Sequence, residues 1–129
     1  MASPIPRWHE LVASHDMTGL DELLDNDCVF ISPALHSHQK GKALVAHYLR
    51  AAMIVLDNGN FRYTHEWQSE SSAVLEFELS LGELAINGVD LIRWNAAGKI
   101  VEFKVMIRPL KALLKVVELM AAQLAPTAN

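Results

Sequence analysis

The sequence holds a single cysteine, Cys28, so no disulfide can form within the chain. A lone thiol in an apolar segment fits a cytoplasmic setting. Basic residues are neither abundant nor clustered: 11 Lys and Arg stand against 15 Asp and Glu, for a net charge of −4. That disfavours nucleic acid as a partner, because phosphate contacts need grouped Lys and Arg. No apolar run is long enough to span a bilayer, so no membrane partner is expected. Met1-Ala2-Ser3-Pro4-Ile5-Pro6 lacks a charged region followed by an apolar one, and no signal peptide is read there. Gly-rich phosphate loops are missing, and so is a nucleophile elbow with ordered Ser, His and Asp. Hydrolase and nucleotide-binding readings therefore have no support. Internal repeats and low-complexity segments are absent too.

What remains is a chain of 129 residues, 51% hydrophobic and 20% charged, enough for one domain over residues 1–129 with one packed core. The most informative stretch is Gly88 to Arg108. Two apolar runs flank Asn95-Ala96-Ala97-Gly98, a hairpin turn in which Gly98 can take positive φ. On the second strand Val101, Phe103, Val105 and Ile107 alternate with Glu102, Lys104 and Arg108. On the first strand Asp90 has the parity of Ile92 and Trp94, while Arg93 points the other way. A carboxylate on an apolar face must be paired, hydrogen-bonded or protonated. Desolvation is expected to raise its pKa, with a Trp8 N–H or a protonated His36 as its nearest expected partners.

Earlier in the chain, Pro6 suits the first turn of a helix ending near Ser14, with Trp8, Leu11 and Val12 as its stripe. His15 caps its end. Thr18 reads as the N-cap of a second short helix carrying Leu20, Leu23 and Leu24. Asp25-Asn26-Asp27 reads as a turn, Cys28 to Ser32 as a strand, and Ala34 to Gly41 as a loop. Lys42 to Leu56 has helical spacing, including Val45, Tyr48, Leu49 and Met53. From Phe61 the period becomes two, giving strands at Phe61–Ser69, Ala73–Leu81 and from about Leu84 onward. Leu110 to Leu124 is a closing helix with Leu110, Leu113, Leu114, Val117, Met120, Ala121 and Leu124 on its apolar side. Pro126 to Asn129 is expected to fray. This order predicts an α+β domain, a curved and mostly antiparallel sheet with helices on its concave face, and a cone enclosing a pocket.

This order and these residues resemble the nuclear-transport-factor-2-like superfamily, and within it the SnoaL-like cyclases and ketosteroid isomerases. Three stretches carry the likeness: Asp27-Cys28-Val29-Phe30-Ile31-Ser32-Pro33, Gly41 opening the helix that contains Tyr48, and the hairpin from Val89 to Ile100. The resemblance implies the cystatin-like cone. It also implies that Asp90 matches the protonated Asp of the ketosteroid isomerase oxyanion hole. Ser32 stands where that family has its catalytic Asp base, and Trp8 stands where it has an oxyanion Tyr. Steroid isomerisation by the family's own mechanism is therefore not expected. His36, with Ser32, is the alternative proton shuttle.

The expected catalytic set is thus Asp90, His36 and Ser32, with no cofactor and no metal. His36 and His38 form an H-x-H pair, but no third ligand accompanies them. The expected pocket wall comprises Trp8, Val12, Phe30, Tyr48 and Met53, then Trp67, Phe77, Ile92, Trp94, Phe103 and Val105. Three readings stay open: a cofactor-independent isomerase, cyclase or dehydratase acting on a carbonyl or polyketide-like substrate, a non-catalytic binder of an apolar carbonyl or hydroxyl compound, and an interaction module. A homodimer is expected through the convex sheet face, where Glu76, Glu78, Glu102 and Lys104 accompany Val74, Val89, Leu91 and Met106. The closing helix is expected to cover the pocket mouth or the dimer edge.

Overall fold

A computed structural model describes residues 3–125. The end expected to fray, Pro126 to Asn129, lies outside the described residues. Helix α1 spans Ile5–Ser14. Pro6 sits in its first turn, and the Ile5 N–H is taken up by Ser3 Oγ at 3.1 Å. Its buried residues are Ile5, Trp8, Leu11 and Val12, as the helical spacing predicts. His15 ends it in the left-handed region, and its ring meets the carboxylate of Asp57 just beyond the next helix.

The segment after α1 departs from expectation. Thr18 does not cap a helix. Its N–H is held by Asp16 Oδ1, and Leu20–Leu23 forms a single 3-10 turn. Nor does Asp25-Asn26-Asp27 turn the chain. Strand β1 already runs from Leu24 to Ile31. Its acidic stretch is accommodated by a register shift between Leu24 and Val29, and Asn95 of the hairpin turn donates to Asp25 at 3.1 Å. The expected loop after Pro33 also contains a two-residue strand, β2 (Gln39–Lys40), paired with β1.

Helix α2 spans Lys42–Leu56, followed by β3 (Arg62–Gln68), β4 (Ser72–Leu81), β5 (Leu84–Trp94), β6 (Ile100–Arg108) and α3 (Leu110–Leu124). The sheet order is β2-β1-β6-β5-β4-β3, with β1 and β6 parallel and every other pair antiparallel. The β5–β6 turn closes with Gly98 at φ 78°, the conformation its sequence calls for.

Two bulges change which face residues take. On β6, Val101 is the extra residue, so Ile100 rather than Val101 lies opposite Trp94 in the core. On β3, Thr64 is extra: Tyr63 pairs with Phe77 on the inner face, whereas His65 and Trp67 pair with Glu76 and Val74 on the outer one. A one-residue slip of this kind moves every later side chain across the sheet.

The core lies between the concave sheet face and the three helices, where Trp8, Leu11, Leu20, Leu24, Val45, Leu75, Phe77, Ile92, Ile100 and Phe103 are essentially inaccessible. Helix α3 is turned differently from its expected stripe. Ala112 and Val116 are its buried residues, while Leu110 and Leu114 are exposed. No helix among the described residues is long and apolar enough to cross a membrane.

Candidate functional site

Asp90 is the one polar or charged side chain among the buried residues described. It sits mid-strand on β5, opposite Leu75 on β4 and Val105 on β6. Its parity puts it on the concave face, and Arg93 on the convex face pairs instead with Glu102 at 3.1 Å.

The partner of Asp90 is Tyr63. Its hydroxyl donates to Asp90 Oδ2 at 2.6 Å and in turn accepts from Trp8 Nε1 at 2.9 Å. The direction of this chain is fixed by chemistry. An indole can only donate, and the Tyr63 proton has no acceptor other than Asp90 among the described residues. Asp90 Oδ1 has no hydrogen-bond partner among the described residues and remains available to a ligand.

Burial raises the Asp90 pKa from 3.8 to about 7, opposed by the Tyr63 hydrogen bond. Burial, together with the charge and hydrogen bond of Asp90, pushes the Tyr63 phenol well above its ordinary range. The phenol therefore stays a donor.

Asp90 opens onto a cavity of about 160 Å³. Trp8, Phe30, Tyr48, Met53, Phe77, Phe103 and Val105 line it, as does Ser32 at the end of β1. Ser32 Oγ also accepts the Ala34 N–H at 3.1 Å, holding the turn that leads into the mouth. The aromatic walls brace one another: Trp8 meets Phe103 edge-on at 5.0 Å, and Phe61 stacks on Phe77 at 5.2 Å.

Five expected site residues lie elsewhere. His36 is exposed: Ser32 to Leu35 reach the mouth, and the loop then carries His36 out to solvent. Trp67 is on the outer face because of the Thr64 bulge, 56% exposed and stacked on His65. Ile92 and Trp94 are buried further along β5, in packed core beyond the cavity. Val12 packs in the α1 stripe and borders surface clefts near His15 and Asp57 instead. Among the described residues no three or more His, Cys, Asp or Glu gather into a metal-binding group.

Sequence reasoning missed Tyr63, the residue that completes the polar chain. The available signal was its shared parity with Phe61, an aromatic pair at the start of an otherwise polar strand. It also missed Phe61 and Ile107, whereas the closing helix, expected at the pocket mouth or the dimer edge, supplies wall through Val116, Val117, Met120, Ala121 and Leu124.

Comparison with known proteins accords with this geometry. The SnoaL-like domain family matches residues 5–103. The crystal structure of a steroid delta-isomerase from Pseudomonas aeruginosa is 37% identical, with a TM-score of 0.89 over 93% of this chain and 88% of that one. An uncharacterised protein with a cystatin-like fold from Silicibacter pomeroyi DSS-3 is 34% identical, with a TM-score of 0.84 over 92% and 83%. An epoxide hydrolase/cyclase-like enzyme of pyran ring formation in salinomycin shares the fold at 15% identity, with a TM-score of 0.63 over 81% and 87%. No curated protein matches the chain. A family match across most of the sequence and two full-length structural relatives above 30% identity agree: the chain belongs to the SnoaL-like domain family, with the NTF2-like, cystatin-like cone fold.

Proposed function

We propose that this protein binds an apolar small molecule carrying a carbonyl or hydroxyl group and moves a proton on it without a cofactor, as an isomerase, cyclase or dehydratase would. The observation that carries this reading is the directed chain from Trp8 through Tyr63 to Asp90, ending inside an otherwise apolar cavity. A protonated Asp90 offers its proton from Oδ1 to a ligand oxygen, since Oδ2 is occupied by Tyr63. Ligand oxygens that gain charge are stabilised most by a donor fixed in advance in a dry site. With its pKa near 7, the carboxyl is present in both forms at neutral pH. One group can then deliver a proton to one atom and remove one from another in successive steps.

The P. aeruginosa relative is named a steroid delta-isomerase, and the salinomycin relative acts in ring formation. Both names fit acid–base chemistry in such a cavity. A second reading, ligand binding without chemistry, draws on Ser32, a residue that does not titrate at neutral pH, standing where the resemblance to ketosteroid isomerases implies their base. We further propose a homodimer through the convex sheet face, where Val74, Val89 and Leu91 are half-buried and Met106 is exposed. A reducing, cytoplasmic setting suits the buried Cys28 thiol.

The test is hydrogen–deuterium exchange into cyclic unsaturated ketones followed by proton NMR. Wild type is expected to exchange hydrogens conjugated to the carbonyl, and Asp90→Asn to bind the ketone but not exchange it. Binding by both proteins with exchange by neither would leave the second reading in place.

A further inference from the structure

We propose that the ligand of this pocket is a one-ring carbonyl or phenol compound, and that helix α3 sets this limit through Val117, Met120 and Leu124. The inference rests on the binding role proposed for Asp90 and adds the size class of its ligand.

The cavity volume is the first argument. A space of about 160 Å³ is close to the roughly 150 Å³ apolar cavity that accepts benzene. It falls below the roughly 300 Å³ at which pockets for drug-sized ligands begin. A fused four-ring skeleton exceeds that volume and, while α3 is seated, would have to project through the mouth.

Whether the walls can retreat is the second argument. The sheet side cannot. Phe77 rests directly over Gly88, so closely that even a Cβ at position 88 would collide with its ring and approach the Met106 carbonyl oxygen to 2.6 Å. Phe77 is also stacked on Phe61, and Trp8 is tied to Tyr63. The helical side is different. Helix α3 is pinned by only two buried residues, Ala112 and Val116, and Met120 is a partly buried, unbranched side chain. The space that a second ring would need is the space that α3 side chains fill.

Three phenols that share a hydroxyl and differ in size make the test: 4-methylphenol, 2-naphthol and the steroid phenol equilenin, titrated by calorimetry. Wild type is expected to bind 4-methylphenol at least about tenfold more tightly than equilenin, a discrimination within reach of a close-fitting apolar pocket. Met120→Ala is expected to tighten 2-naphthol several-fold and to leave 4-methylphenol nearly unchanged. Leu124→Ala, at the end of the helix, repeats the test should Met120→Ala fold poorly. Asp90→Ala is expected to weaken every phenol that enters the pocket. Tighter binding of equilenin than of 4-methylphenol, with both weakened by Asp90→Ala, would overturn the size limit and leave the binding role intact. Unchanged 2-naphthol affinity in both α3 variants would overturn the assignment to α3. Phenol binding that ignores Asp90→Ala, or no binding at all, would overturn both readings.

Discussion

Asp90→Asn should make the protein more stable at neutral pH than the wild type, although it removes the central group of the site. The folded chain holds the Asp90 proton up to about pH 7, whereas the unfolded chain releases it near 3.8. Between those values the folded state carries more protons than the unfolded one, so stability falls as pH rises. The contribution of Asp90 is fully present below 3.8 and is gone once pH passes about 7. The interval of about three pH units, at about 1.4 kcal/mol each, amounts to about 4 kcal/mol. An amide does not ionise, its oxygen still accepts from Tyr63, and its N–H₂ still donates into the cavity. Urea unfolding of both proteins from about pH 4 to about pH 8 is the assay. The difference between the two proteins removes the opposing slopes of carboxylates such as the exposed Glu66 and the half-buried Glu102, which both proteins share. The variant is expected to gain on the wild type by up to about 4 kcal/mol across that range, levelling off above pH 7. A difference that stays constant would mean an ordinary ionised carboxylate, and the donor role of Asp90 would have to be given up.

Tyr63→Phe should raise the Asp90 midpoint, since the hydrogen bond that lowers it is lost, as carbon-detected NMR of the carboxyl would show. It should also cost about 1–3 kcal/mol in urea unfolding, because the buried Trp8 N–H loses its acceptor. Gly88→Ala drives a methyl group into Phe77 and towards the Met106 carbonyl, and an overpacking cost of about 1–3 kcal/mol is expected in the same assay. Light scattering should show a dimer that Leu91→Lys on the convex face dissociates, and a wild-type monomer at micromolar concentration would refute this. Truncation after Pro109 should lower the melting temperature, because it uncovers the cavity wall that α3 supplies, and an unchanged value would count against that role.

The sequence was most legible where an element keeps one period from end to end. Helices α2 and α3 fall within the expected boundaries, and β5 alternates regularly through Asp90, so its parity located the site. It was least legible where one residue breaks the period. Trp67 shares the parity of Tyr63 in the sequence and yet lies outside the pocket, because the Thr64 bulge cannot be seen in a strand of mixed polarity. Tyr63 was missed for the related reason that its parity with Phe61 is shared by His65 and Trp67, so parity alone does not single it out. His36 depended on the path of a loop whose first half follows the pocket mouth and whose second half leaves it, a matter of tertiary placement. The orientation of α3 was legible only in part. Val117, Met120, Ala121 and Leu124 of its expected stripe line the cavity, but Leu110 and Leu114 are exposed and the buried residues are Ala112 and Val116, beside the arc on which most of its leucines gather.

The bulge on β3 has a consequence for how this chain tolerates change in length. Thr64 is the one residue of the strand with no opposite number on β4. Its deletion would restore a regular ladder and leave Tyr63 inward and Trp67 outward, altering only the local twist that aims the Tyr63 hydroxyl at Asp90. Deletion of His65 instead would set Thr64 in its outward place and give the same ladder, keeping Glu66 inward towards α1, where it meets His9 at 2.6 Å. The strand thus has one spare link, placed beside the residue whose aim matters most, and shortening there would act as a fine adjustment of the site rather than as a break in the fold.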